Sequence, residues 1–178
     1  YLDYIKLEMQ YERSEEFKVN REFWNKKFEV LPEPTSLRPI KNALRSCESK
    51  RKSFTLSSEL IIKINQYAEE LGVSAFILFL SILAIYLQRV LEREDIVIGT
   101  PILNRRTIKE KATIGMFIET IPVRLHVNEN LSFESFVLKV AEEWHQLRSH
   151  PYPYNLLLED IRSHHRMATK LYDIMLSY

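Results

Sequence analysis

The residues best placed to act together chemically lie in Ile114-Gly-Met-Phe-Ile-Glu-Thr-Ile-Pro-Val-Arg124. There Gly115, Glu119, Thr120 and Arg124 interrupt a run, Phe117 included, that otherwise reads as buried strand. Glycine inside a strand pattern marks a bulge or the close approach of a ligand or backbone. Polar groups among apolar neighbours cost free energy unless they are paired, so this stretch reads as purposeful. Arg124, set among Ile121, Val123 and Leu125, has two open readings. Its head reaches solvent along an apolar stem, or its guanidinium pairs with a carboxylate to brace a site.

Other chemistry finds less support. His164 and His165 are adjacent, so they diverge on a helix or strand and are poor joint metal ligands. His145 and His150 read as residues around a helix end. With one cysteine and no His-x-x-x-His, no metal site is expected. A Ser-His-Asp triad lacks the Gly-x-Ser-x-Gly elbow that often marks one. The three glycines, Gly72, Gly99 and Gly115, are too dispersed for a phosphate-cradling loop or a dinucleotide fingerprint. Basic clusters at 41–52 and 105–111 read as solvated loops, because exposed charge usually does little. Nucleic-acid binding would want more excess charge and interleaved aromatics than this chain has.

The totals bound the fold. The chain has 178 residues, 46% apolar and 28% charged, with a net charge of +1, which suits a globular domain with a real core. The single Cys47 excludes an internal disulfide and fits a reducing, cytoplasmic setting. The most apolar run, Ala75 to Leu87, is thirteen residues, short of the about 20 needed to cross a bilayer. No signal peptide opens the chain. It starts at Tyr1 rather than methionine and stops in the apolar run Leu171–Tyr178, so both ends read as cuts in a longer polypeptide.

The elements that must position these residues follow from periodicity. Residues 15–31 read as a helix capped by Ser14, with Phe17, Trp24, Phe28 and Leu31 near one face and Pro32 stopping it. A loop over 32–50 and a short strand over 51–56 come next. Ser57 or Ser58 opens a helix with Leu60, Ile61, Ile64, Tyr67, Ala68 and Leu71 on a stripe, ended by Gly72. Ser74 opens a helix to about Arg93 that is apolar nearly all round, hence buried. Asp95–Thr100 reads as a central, partly parallel strand. Residues 104–112 read as a polar loop and 118–127 as a second strand. Ser132 caps a third clear helix, a short helix covers about 154–161, and a last strand 172–177. Interleaved helices and strands predict an α/β fold with helices packed on a mixed sheet.

Several segments, in order, resemble the condensation domain of nonribosomal peptide synthetases, in the chloramphenicol acetyltransferase-like superfamily. Tyr1-Leu-Asp3-Tyr4 is similar to that family's Tyr-x-Asp-Phe/Tyr motif, and Phe23-Trp24 to its Tyr-Trp pair. Gly99-Thr-Pro101-Ile-Leu-Asn104-Arg105 resembles Gly-x-Pro-x-x-Asn-Arg, and Ile114–Arg124 resembles Ile-Gly-x-Phe-Val-Asn-Thr-x-x-x-Arg, with Glu119 where the family has asparagine. Tyr152-Pro153-Tyr154 followed by Asn155–Asp160 is similar to the segment after the family's His-Gln pair, at whose place Ser149-His150 stand. Leu171–Tyr178 resembles the strand that precedes a Gln-Asn pair.

The resemblance implies a peptide-antibiotic synthetase in which an acyltransferase-type reaction joins substrates carried as thioesters on 4'-phosphopantetheine arms. Peptidyl carrier domains and an adjacent adenylation domain are the implied partners, with no directly bound cofactor, nucleic acid or membrane. The implied architecture is a V-shaped pair of lobes around a tunnel, of which residues 1–178 are mostly the C-terminal lobe: a lead-in helix region at 1–31, a linker loop at 32–50 and an α/β lobe at 51–178. The family's His-His-x-x-x-Asp-Gly motif is missing, since His164-His165 lead to Thr169 and Lys170 instead. No catalytic residue is therefore expected in this segment, and it is expected to be inactive alone. Gly115, Phe117, Glu119, Thr120 and Arg124 are the expected tunnel or lobe-interface residues. Tyr1, Asp3, Trp24, Gly99, Pro101, Asn104, Arg105, Tyr152 and Pro153 are the motif residues expected to be structural, with Arg105 and Arg124 as ion-pair braces and Asn104 and Thr120 as hydrogen-bonders. The rival readings are an epimerisation, cyclisation or acyltransferase relative, and a module that only docks carriers. An apolar exposed face is expected to favour a non-native dimer of the lobe.

Overall fold

The computed structural model describes residues 2–37, 49–105, 108–165 and 170–178, without the side chains of Asp3 and Lys109. The elements run α1 (Leu2–Glu12), α2 (Glu15–Lys27), α3 (Ser58–Glu70), α4 (Ala75–Leu91), β1 (Asp95–Ile102), α5 (Ile108–Ala112), β2 (Glu119–His126), α6 (Phe133–Ser149) and α7 (Tyr154–His164). Ser14, Ser57, Ser74 and Ser132 each cap a helix, their hydroxyls accepting from the backbone N–H three residues on. Gly72, at φ +67°, turns the chain after α3 through a left-handed conformation that suits glycine.

β1 is the spine. It pairs antiparallel with β2, from Asp95 opposite His126 to Ile102 opposite Glu119. On its other side runs the C-terminal segment, in parallel: Gly99 N–H donates to the Ile174 carbonyl at 3.0 Å, and Leu176 N–H donates to the Gly99 carbonyl at 2.9 Å. Thr35 joins this edge, its hydroxyl accepting from Val97 N–H at 2.9 Å. Flanked on both sides, β1 buries Ile96, Val97 and Ile98 completely. α4 packs on β1, and α6 and α7 pack on β2. Trp24 and Phe28 enter the same core from α2 and its C-cap.

The α/β expectation holds, with several local corrections. The stretch 51–56 alternates like a strand but pairs with no strand among the described residues, and Phe54 stands exposed. The last strand, expected at 172–177, contributes bridges at Tyr172 and Met175 rather than a full ladder. The first helix stops at Lys27 instead of 31, although Phe28 and Leu31 still pack on the core. The lead-in helix region holds two helices, α1 and α2, and α1 has no apolar stripe, its Leu2, Leu7 and Met9 being exposed. Part of the expected loop 104–112 is the short helix α5. Residues 114–118 are loop, not strand; Ile114 and Met116 point to solvent and only Phe117 is buried. α4 is not buried all round, since Ile82, Tyr86 and Val90, four residues apart, are half exposed. Leu60 and Ile61 of the α3 stripe are likewise half exposed. Among the described residues no single helix is long and apolar enough to cross a membrane.

Gly99 shows why this position tolerates no side chain. A Cβ there would sit 2.3 Å from Cε2 of Tyr172 and 2.6 Å from its Cζ. The Tyr172 ring cannot simply swing away, because its hydroxyl interacts with Thr120 and Tyr154 and its ring lies against that of Tyr154, centroids 5.5 Å apart and planes tilted by 39°. Gly99→Ala is therefore expected to destabilise by about 1–3 kcal/mol, the usual cost of overpacking. Urea titration should show Gly99→Ala with Tyr172→Leu costing less than the two single changes summed.

Candidate functional site

The site begins with a turn that cannot satisfy itself. Pro151 and Pro153 have no N–H, so the carbonyls of the His150–Pro153 turn need donors from elsewhere. Trp24 Nε1 donates to the His150 carbonyl at 2.7 Å, and Asn20 Nδ2 donates to the Pro151 carbonyl at 3.1 Å. The Tyr11 hydroxyl also donates to the Pro151 carbonyl and accepts from Asn20 Nδ2 at 2.8 Å. Tyr152 follows, buried, its hydroxyl donating to Asp160 Oδ2 at 2.7 Å. Arg21 closes the set, its Nε donating to the same carboxylate oxygen at 2.8 Å and its Nη2 to Oδ1. Burial pushes the Tyr152 phenol up, reinforced by its bond to Asp160. At Asp160 burial pulls upward, but the bonds from Arg21 and Tyr152 prevail and hold its pKa below the usual 3.8.

Beside this turn lies a cavity of about 940 Å³. Thr100 to Arg105 form one wall, Phe76 and Trp144 another, and the turn with Asn155 and Leu156 a third. Tyr178 also lines it. Helix α1 crosses it, with Tyr4, Leu7, Glu8, Tyr11 and Glu12 on the cavity side. The two ends of α1 are fastened: Tyr11 on the turn, and Tyr4 against Phe117 with ring centroids 4.4 Å apart.

The residues singled out from the sequence divide between this cavity and its supports. Trp24, Pro101, Asn104, Arg105, Glu119, Tyr152 and Pro153 line it. Asn104, at φ +35°, turns the chain off β1 in a conformation where asparagine is over-represented. Glu119 bridges two elements, its Oε1 accepting from Tyr154 N–H at 3.3 Å. Tyr154 starts α7, whose N-cap Pro153 offers no side-chain acceptor. A carboxylate from β2 thus caps a helix that cannot cap itself, favoured by the helix dipole.

Gly115, Phe117, Thr120, Arg124 and Gly99 do not line the cavity. Gly115 lies in the exposed loop and its carbonyl accepts from Arg105 Nη2 at 3.0 Å. Arg105 Nη1 also donates to the carbonyls of Glu110 at 2.5 Å and Thr113 at 2.6 Å, and the guanidinium lies 4.0 Å over the Phe117 ring. The partners described for Arg105 are thus main-chain carbonyls and a ring rather than the carboxylate of an ion pair. Thr120 interacts with the hydroxyl of the half-buried Tyr172. Arg124 takes the second of its two readings: Nε and Nη2 grip Asp95 at 3.0 and 2.6 Å, while Nη1 donates to the carbonyls of Lys27 at 2.5 Å and Val30 at 2.9 Å. It ties the two strands to the end of α2, away from the cavity wall. Tyr1, the Asp3 side chain, Cys47 and 166–169 lie outside the described residues.

Sequence reasoning missed Tyr11, Asn20, Asp95 and Asp160, whose partners lie many residues away. A buried asparagine on a helix face was the one available signal. Among the described residues no three or more His, Cys, Asp or Glu side chains converge as metal ligands.

This arrangement has known counterparts. The Condensation domain family matches residues 1–178, and the chain belongs to that family. It is 36% identical over 179 residues to surfactin synthase subunit 1 of Bacillus subtilis (strain 168), covering 100% of this chain and 5% of that protein. It is 31% identical over 185 residues to bacitracin synthase 1 of Bacillus licheniformis, covering 100% of this chain and 4% of that protein. The chain thus spans a small part of the length of these relatives. Among solved structures, the first condensation domain of the CDA synthetase superposes with a TM-score of 0.81 at 24% identity, over 96% of this chain and 36% of that one. The condensation domain from the monacolin K polyketide synthase MokA gives 0.72 at 17% identity, over 99% and 41%. At these identities the likeness is one of fold, the chloramphenicol acetyltransferase-like α/β fold of condensation domains.

Two measurements test the supports. Arg124→Met leaves Asp95 and two carbonyls without their donor, and the partial exposure of the pair moderates the loss to about 1–3 kcal/mol. Asp95→Asn is expected to cost less in the same urea titration, because the carbonyl bonds remain. Asp160, held low in the folded state, contributes stability above its unfolded value near 3.8 that is lost as pH falls through the lower folded one. Thermal midpoints should fall below about pH 4, the ordinary carboxylate range, and Asp160→Asn should flatten that part of the profile.

Proposed function

We propose that this chain forms a wall of the reaction chamber in a condensation domain of a nonribosomal peptide synthetase. There an acceptor amine attacks the carbonyl carbon of a donor thioester. The C–N bond forms, the C–S bond breaks, and the amine proton leaves as the donor sulfur becomes a free thiol. The observation that carries this reading is the family match over residues 1–178, made on a chain whose motif residues line a cavity of about 940 Å³. Both substrates come tethered to carrier domains, so the arms belong to the partners and the chain itself holds no cofactor; an adenylation domain loads those carriers.

Such an aminolysis depends on alignment, because holding both reactants converts a bimolecular step into an effectively unimolecular one. The pinned turn, the capped α7 and the arginine-stapled loop supply rigid walls of that kind. Residues 1–31 then act as a lead-in, 32–50 as a linker and 51–178 as the lobe proper. The sequence holds no His-His-x-x-x-Asp-Gly, so the segment is inactive by itself.

Purified chain mixed with donor and acceptor carrier domains bearing aminoacyl thioesters is expected to yield no dipeptidyl product above background by mass spectrometry. It is expected to bind the loaded acceptor carrier more tightly than the unloaded one. Product formation would overturn the inactivity, and equal binding of loaded and unloaded carriers would overturn the chamber assignment.

A further inference from the structure

We infer that His150 is a positioning residue whose Nε2 accepts a hydrogen bond from an N–H of an amine-bearing ligand seated in the cavity. The ligand class rests on the proposed condensation reading; the placement of the imidazole does not.

His150 ends α6 and lines the cavity. Its ring is fixed from several directions. It stacks on Phe23 with centroids 4.0 Å apart and planes 8° from parallel. Its Nδ1 lies 2.8 Å from the Gln146 carbonyl, and its own carbonyl accepts from Trp24 Nε1. A carbonyl can only accept, so Nδ1 carries the hydrogen and, in the neutral ring, Nε2 presents a lone pair. Among the described residues no hydrogen bond to Nε2 is found, and the residue lines the cavity. A ring held by stacking, by its own helix and by a pinned turn gives up little freedom when a ligand arrives. The bond this nitrogen offers is to a donor, an amine or amide N–H, and not to a carbonyl or a phosphate oxygen. The structural alternative is a helix-end histidine that merely covers Phe23, and it predicts no response of Nε2 to a ligand.

The test uses the full chain labelled with ¹⁵N and two probes of matched shape. One is an L-leucyl pantetheine analogue with an amide in place of the thioester; the other is its desamino counterpart. Long-range imidazole spectra are expected to show the His150 Nε2 resonance moving with the amine probe and not with the desamino one, while the Trp144 indole moves with both. The amine probe is expected to bind about fivefold more tightly, the scale of one net hydrogen bond. His150→Phe, which keeps a ring on Phe23, is expected to bind both probes equally. Movement of Trp144 by both probes with Nε2 unchanged would overturn the role of His150 and leave the condensation reading standing. No movement of either residue with either probe would overturn both.

Discussion

Two prolines set the terms on which this fold is built. Pro151 and Pro153 take two amide hydrogens from their turn, and its carbonyls are met by donors from outside. An unmet buried carbonyl costs about 1–3 kcal/mol, so the indole of Trp24, the amide of Asn20 and the hydroxyl of Tyr11 are required together. That requirement fixes α2 against the turn, and the turn in turn places the start of α7 and the end of α6. Ion pairs reinforce the same arrangement from the side, Arg21 to Asp160 on α7 and Lys27 to Glu143 on α6. Helix α2 is therefore integral to the core.

A second constraint acts along the sheet. Three separate segments meet at β1, and each brings one residue that permits the meeting. Gly99 leaves room for the Tyr172 ring, Thr35 offers Val97 an acceptor, and Arg124 holds Asp95 against the end of α2. The motif residues thus serve two kinds of purpose. Trp24, Glu119, Asn104 and Arg105 face the cavity, while Gly99, Thr120 and Arg124 hold the strands that carry them.

What could be read from the sequence was what is decided locally. The serine caps of α2, α3, α4 and α6 and the apolar run of β1 rest on neighbours a few residues away, and they appear as expected. What failed depends on partners far along the chain. Residues 51–56 have a strand-like pattern, but a strand exists only when an edge is offered to it. Glu119 gave no hint of capping a helix that begins 35 residues later, and Arg124 could not be decided between solvent and pairing without Asp95, 29 residues earlier. The bounds of α1 within the lead-in helix region went unread because it carries no apolar stripe.

The way α1 is held has consequences for the cavity. Tyr4 and Tyr11 tie α1 to two different parts of the molecule. One pin joins α1 to the buried turn, and breaking it leaves carbonyls unmet. The other joins it to Phe117, which is held by Arg105, whose guanidinium gathers the exposed loop through main-chain carbonyls. The two pins differ in kind: one is embedded in the core, the other rests on a surface loop with Ile114 and Met116 in solvent. Arg105 lines the cavity and staples that loop with a single side chain, so one guanidinium joins the cavity wall to the loop that carries Phe117.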